Sequence, residues 1–131
     1  MRTFSAGSIR EFATVYASNV FEHLDHDTID ASLADIGRAL SPGGRPIHVQ
    51  PNFHLDPHCY FDGCTHRTVR TDRSRAVFVN ARGLRVVHEE PRLLPLTMKS
   101  KPPFSHRLVP IFLELPNRPL AGQMLVSAQR P

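Results

Sequence analysis

The chain has 131 residues, 40% of them hydrophobic and 21% charged, which places it among soluble globular chains and within the size of one domain that buries its own core. Its formal net charge is +4, but the basic residues are scattered (Arg67, Arg70, Arg73, Arg75, Arg82 and Arg85, then Lys99, Lys101 and Arg107), with no basic run interleaved with aromatics; this reads as a solvated basic surface, and nucleic acid is not indicated. No apolar run approaches the roughly 18 residues of a membrane span, the first residues lack the apolar segment of a secretory signal, and two cysteines, Cys59 and Cys64, are too few for a disulfide framework, so a cytoplasmic location is the expectation.

Thr14–Asn19 is short, β-branched and aromatic, and predicts a buried strand. It runs out into Ser18-Asn19 and turns through Phe21-Glu22-His23-Leu24 toward a helix. In open α/β sheets, ligands bind beyond the carboxyl ends of strands, so polar side chains at this tip mark a candidate site. Only thirteen residues precede Thr14, fewer than the roughly 30 of a βαβ unit. The chain is therefore expected to begin in the middle of a fold. Asp25-His26-Asp27-Thr28 starts the helix, with acids at the positive end of its dipole. Ile29, Leu33, Ile36 and Leu40 follow at helical spacing, so one face packs on a sheet. Ser41-Pro42-Gly43-Gly44 is expected to stop that helix. Ile47–Gln50 then predicts a second strand, ended by Pro51-Asn52. Such a strand–helix–strand unit places its strands parallel, with a right-handed crossover.

From Phe53 to Arg70 no period is visible. A segment this long without period is functional or disordered, and its aromatics, Phe53, Tyr60 and Phe61, argue for an ordered loop. Thr71-Asp-Arg-Ser74 starts another helix, which Gly83 ends. Leu84–Glu89 predicts a third strand. Pro91 to Pro119 is proline-rich, and Leu108, Ile111, Phe112 and Leu115 fall at helical spacing around Pro110, predicting a short or kinked helix. Gln123–Gln129 alternates in part and predicts a fourth strand.

The order of strand, Ser-Asn-Val-Phe-Glu-His-Leu, amphipathic helix, Leu-Ser-Pro-Gly-Gly-Arg and strand resembles the second half of class I S-adenosylmethionine-dependent methyltransferases, the broad type 11/type 23 group. Leu40–Arg45 is similar to the turn before the fifth strand of that fold. Cys64–Thr71 is similar to the Thr-His-x-x-x-x-Thr segment that precedes the next helix. Ala81–Val87 is similar to the approach to the sixth strand, and Met124–Ala128 to the antiparallel last strand. The resemblance implies an α/β fold: a partial seven-strand Rossmann-like sheet, strands four to seven with their intervening helices, in a single incomplete domain over residues 1–131. The amino-terminal βαβ units, with the family's glycine-rich cofactor loop and acidic ribose ligand, are expected to be lacking. Gly43-Gly44 follows a helix and precedes a strand, so it does not stand in for that loop. In the family, strand four pairs with strand one. Thr14–Asn19 is thus expected to present a bare edge, inviting self-association or a complementary amino-terminal half.

The resemblance further implies S-adenosyl-L-methionine as cofactor and methyl transfer to an acceptor, a small molecule first among the choices. Activity of the chain alone is doubtful without the glycine-rich loop. The alternative is a non-catalytic methyltransferase-like fragment or interaction module. Ser18, Asn19, Phe21 and Glu22 would border the cofactor, the first two at its methionine part. Against this stands a plain strand-to-helix turn bonded to local amides; for Phe21, core packing is the preferred reading. Tyr60, Asp62 and His66 would line the acceptor pocket. His66 is the candidate general base, because imidazole titrates near neutrality, although methyl transfer needs little beyond alignment.

Two groups of residues offer metal donors, each beside a plainer reading. Asn19, Glu22 and His23, with the later His66, match the positions of a Glu-x-x-Glu-His motif plus histidine that holds a divalent cation in the small-RNA 3′-end methyltransferases. An amide replaces the first acid, which weakens a hard-cation site, and no metal is expected. His58, Cys59, Cys64 and His66 offer zinc donors, but crowd one short loop instead of forming two separated pairs; thiols without a metal are the preferred reading.

Overall fold

The computed structural model describes residues 11–131 apart from 56, 59, 62–64, 72, 75–78, 81 and 95–104, with only the backbone of 105 and 106. Strand β1 is Phe12–Ser18. A single 3-10 turn, Phe21–His23, leads from it to helix α1, His26–Ala39. Strand β2, Leu40–Pro51, follows without an intervening loop. Residues 73–74 and 79–80 are helical, and the chain leaves that segment at Gly83, whose φ is +76°. Then come β3, Arg85–Glu90, helix α2, Ser105–Glu114, and β4, Gln123–Gln129. Helix α2 carries Pro110 within it, as the spacing of its apolar residues predicts.

The four strands form one sheet in the order β1-β2-β4-β3. β1 and β2 are parallel, with Tyr16 opposite Ile47 and Ser18 opposite Val49. β4 is antiparallel to both β2 and β3. The carboxyl ends of β1, β2 and β3 therefore share one rim of the sheet.

Helix α1 begins where the acids place it. Asp25 caps the helix by accepting the backbone N–H of Thr28 at 2.8 Å. That N–H holds the Asp25 carboxyl below its ordinary value of 3.8, so the cap is present above that pH and lost as pH falls through the depressed value. Ile29 and Leu33 are fully buried and pack with Phe21. Burying each such side chain contributes about 1.5–3 kcal/mol. A second cluster joins Leu40, Val79, Leu84 and Ala128. Ile36 packs against both clusters and makes them one core.

One sequence expectation fails at the end of α1. Residues 41–44 do not form a separate stop; they belong to β2, which begins at Leu40, not at Ile47. Leu40 is already extended (φ −77°, ψ 141°) and fully buried. Gly43 donates to the Arg130 carbonyl at 3.0 Å, and Arg130 donates back to the Gly44 carbonyl at 2.9 Å. Pairing with the distant carboxyl terminus extends the strand. Gly44 is demanded by closeness: a Cβ there would lie 2.8 Å from the Ser41 carbonyl oxygen and 3.0 Å from that of Phe12.

Among the described residues β1 is an edge strand, hydrogen-bonded to β2 alone. Phe12 and Tyr16 are 46% and 63% exposed along it. Both observations agree with the bare edge read from the sequence.

Leu33→Ala should lower unfolding free energy by about 2–5 kcal/mol. Gly44→Ala should lower it by about 1–3 kcal/mol, because the added methyl meets backbone. At Gly37 a Cβ meets nothing within 4 Å, so Gly37→Ala should leave stability level or raised. Urea denaturation of the three variants checks the ranking; a Gly37→Ala loss larger than that of Gly44→Ala would contradict it.

Candidate functional site at the carboxyl rim of the sheet

The parallel ladder continues one residue past β1: the Asn19 N–H donates to the Val49 carbonyl at 2.8 Å. Asn19 then adopts φ +52°, the left-handed region that asparagine tolerates better than most side chains. This residue turns the chain sharply out of the sheet. Its Oδ1 accepts from Gln123 Nε2 at 3.3 Å, so the tip is tied to the start of β4. Ser18 is half-buried, while Asn19 and Val20 are exposed. Among the described residues the polar tip is therefore accessible at the rim.

Phe21 and Glu22 turn the other way. Phe21 is buried, its ring centroid 4.8 Å from that of His48 on β2. This is the packing role preferred from the sequence. Glu22 is 1% exposed. Its carbonyl accepts the N–H groups of Arg67 at 2.7 Å and Thr68 at 3.3 Å. Thr68 Oγ1 adds a bond to the Phe21 carbonyl at 3.2 Å. These bonds dock the segment after β2 onto the 3-10 turn.

Inside that segment Tyr60 is fully buried and donates its hydroxyl to the Thr68 carbonyl at 2.6 Å. Phe53, Phe61 and His66 meet its ring edge-on. The described residues of the loop gather around these aromatics. Burial, and then the negative charge of Glu22, push the Tyr60 hydroxyl up to about 12. Tyr60 thus supports the loop from within instead of offering its hydroxyl to solvent.

His66 comes to lie beside His23, with ring centroids 5.0 Å apart. His66 Nδ1 donates to the Tyr60 carbonyl, and His23 Nδ1 to the Thr65 carbonyl at 3.2 Å. A carbonyl only accepts, so each ring carries a proton on Nδ1 and, when neutral, a lone pair on Nε2. His23 Nε2 is 3.8 Å from Glu22 Oε1. One ligand atom from each of Glu22, His23 and His66 lies within 4.8 Å of the others.

Asp62, Cys59 and Cys64 lie outside the described residues; His58 is exposed. Sequence reasoning misplaced Arg70 among the scattered surface cations. It is buried and donates from Nη2 to His26 Nδ1 at 3.0 Å. Desolvation lowers its pKa from the usual arginine value. The same rim carries a hollow of about 390 Å³ beyond β3, between Glu90, Arg92, Leu113 and Arg118. There Arg118 bridges Glu90 at 3.0 Å and the Arg92 carbonyl at 2.9 Å.

No family model matches the chain, and no curated protein matches its sequence. Solved structures do match. A SAM-dependent methyltransferase from Archaeoglobus fulgidus superposes with a TM-score of 0.63 at 19% identity, over 92% of this chain and 60% of that one. The N-methyltransferase NodS from Bradyrhizobium japonicum WM9, solved with S-adenosyl-L-homocysteine, gives 0.60 at 15% identity, over 98% and 50%. The [4+2]-cyclase SpnF gives 0.57 at 12% identity, over 93% and 52%. The chain has the fold of class I S-adenosylmethionine-dependent methyltransferases. It spans 50–60% of the length of these three structures, and its strands take the places of the fourth to seventh strands of that fold, β4 being the antiparallel last one.

Tyr60→Phe should cost about 1–3 kcal/mol by leaving the buried Thr68 carbonyl short of a donor. Because the folded hydroxyl titrates near 12 against 10.0 when unperturbed, the neutral Tyr60 contributes fully below pH 10 and its contribution is lost as pH rises toward 12. Denaturant midpoints at pH 9 and 11 should fall more steeply for wild type than for Tyr60→Phe; equal falls would contradict the assignment.

Proposed function

We propose that the chain contributes the carboxyl-terminal part of a methyltransferase site, with the Ser18–Asn19 tip against the methionine portion of S-adenosylmethionine and a small-molecule acceptor on the side of His66. The observation that carries this reading is the exposed polar tip at the rim where β1 and β2 end in parallel, because ligands of open α/β sheets bind there. The tip fits such a ligand: Ser18 and Asn19 are short, polar and accessible, and Phe21 and Glu22 support them from beneath. The cofactor, when bound, supplies an electrophilic methyl group. His66 holds its proton on Nδ1 against the Tyr60 carbonyl, so its Nε2 is the atom that takes a proton from an acceptor hydroxyl or amine. No helix among the described residues is long and apolar enough to cross a membrane, and a cytoplasmic setting suits a chain of this kind.

A second reading has its own support. Folds do not dictate function, and the open edge of β1, with Tyr16 63% exposed, suits an interaction module. A complementary chain carrying further strands, or a second copy, would pair along that edge.

Titration calorimetry with S-adenosyl-L-homocysteine tests the first reading. One-to-one binding should weaken about tenfold, or 1.4 kcal/mol, in Ser18→Ala and Asn19→Ala. Binding that both variants leave unchanged, or no binding, overturns the assignment of the tip. Sedimentation velocity tests the second: self-association should diminish in Tyr16→Lys, and a wild type that is monomeric at all concentrations removes pairing through the edge.

A further inference from the structure

We propose that the exposed face of α2, with the turn that follows it, docks on an anionic phospholipid surface. This inference stands apart from the methyl-transfer reading, since it needs neither S-adenosylmethionine nor an acceptor. It begins with charge. Residues 91–120 carry five basic side chains, Arg92, Lys99, Lys101, Arg107 and Arg118, and one acid, Glu114. The whole chain has 16 basic and 12 acidic residues, so the remainder holds 11 of each sign, and the entire formal excess of +4 falls in this one stretch. Within it Arg118 is paired with Glu90, which leaves Arg92, Lys99, Lys101 and Arg107 against Glu114. Lys99 and Lys101 lie outside the described residues, and the docking face itself does not include them.

The same stretch is apolar where it is exposed. Leu108, Ile111 and Leu115 recur at spacings of three and four, which puts them on one side of a helix, and they are 52%, 62% and 40% exposed. Val109, Phe112 and Leu113 are half-buried, so apolar residues occupy the covered side of α2 as well as its open one. A helix apolar all round has a further apolar contact to make. Arg107 is exposed beside the stripe, four residues before Ile111. Beyond the helix, Leu120 is 88% exposed and held at φ +64°, a conformation that leucine rarely adopts. Arg118 braces this turn, donating to the Leu113 carbonyl at 3.1 Å and to the Arg92 carbonyl at 2.9 Å. Aliphatic side chains beside surplus positive charge match a membrane interface: shallow insertion and attraction to anionic lipid are the two signals that stable peripheral binding combines. Three side chains along about 10 Å of helix are few beside the roughly 20–30 residues that each side of a standard protein interface contributes. With 10 residues, α2 is too short to cross a bilayer and lies on its surface. The stretch leaves the sheet after Glu90 and returns at Gln123, both on the carboxyl rim, so docking turns that rim toward the lipid.

The test is flotation of the full chain with vesicles of phosphatidylcholine, either alone or mixed in equal parts with phosphatidylglycerol. The protein should float with the anionic vesicles and not with the neutral ones. Binding should fall as added salt shortens the screening length from about 10 Å toward about 3 Å. Lys99→Gln/Lys101→Gln should weaken it about fivefold for each charge removed. Leu108→Ser/Ile111→Ser should weaken it by more than about tenfold, while its melting curve stays near that of wild type because both side chains are exposed. Failure to float with anionic vesicles overturns the proposal, as does equal flotation with neutral ones. So does binding that salt, or the Leu108→Ser/Ile111→Ser change, leaves undiminished. Self-association without lipid that the same double change abolishes would make the stripe a protein interface, and overturns the proposal too.

Discussion

The carbonyl of Glu22 accepts two backbone N–H groups, from Arg67 and Thr68, and the rim of the sheet takes its shape from that junction. A strand tip turned out by Asn19 would otherwise end in an isolated 3-10 turn of three residues. The two bonds, with that from Thr68 Oγ1 to the Phe21 carbonyl, satisfy backbone groups that burial would leave costly. They also bring the end of a long loop over the turn. His66 stands next to Arg67 in the chain, so fixing the Arg67 N–H sets His66 beside His23. Backbone atoms make most of this junction, so its geometry depends on the path of the chain more than on the identity of residues 67 and 68.

Tyr60 completes the arrangement from below. Its ring fills the space between Phe53, Phe61 and His66, and its hydroxyl closes on Thr68, the residue that also bonds the 3-10 turn. Its own carbonyl receives the His66 Nδ1–H. One residue thus positions the imidazole and braces the junction. The loop is a second layer of the site laid on a first, the strand tip, which the sheet alone holds.

What the sequence made legible were features with local causes. The Asp25 cap, the Ile29 and Leu33 face of α1 and the bounds of β4 at Gln123 and Gln129 follow from residues a few positions apart, and each stands as read. Phe53, Tyr60 and Phe61 stand out in an otherwise aperiodic segment, and their rings do meet. The features missed have distant causes. Gly43-Gly44 reads as a helix stop until Arg130 pairs with it and the Phe12 carbonyl crowds against Gly44. Arg70 reads as a surface cation until His26, across the fold, offers it Nδ1. The Nδ1 bonds of His23 and His66 were likewise beyond reach, because their acceptors are carbonyls, which carry no sequence signature.

β1 does two things that cannot be separated. Among the described residues it is the edge of the sheet, and its last residues are the polar tip of the rim. A strand that paired with this edge would run within about 4.8 Å of β1 and place its own side chains beside Phe12 and Tyr16. Among the described residues the tip is bordered by β2 and Gln123 on one side; on the reading proposed above, a strand paired with β1 would border it on the other. Ligand contact at the tip and strand pairing along the edge, where both occur, would act on the same residues. On the reading proposed above, occupation of the rim and assembly at the edge would be linked equilibria of a single strand, and any coupling between them would be reciprocal.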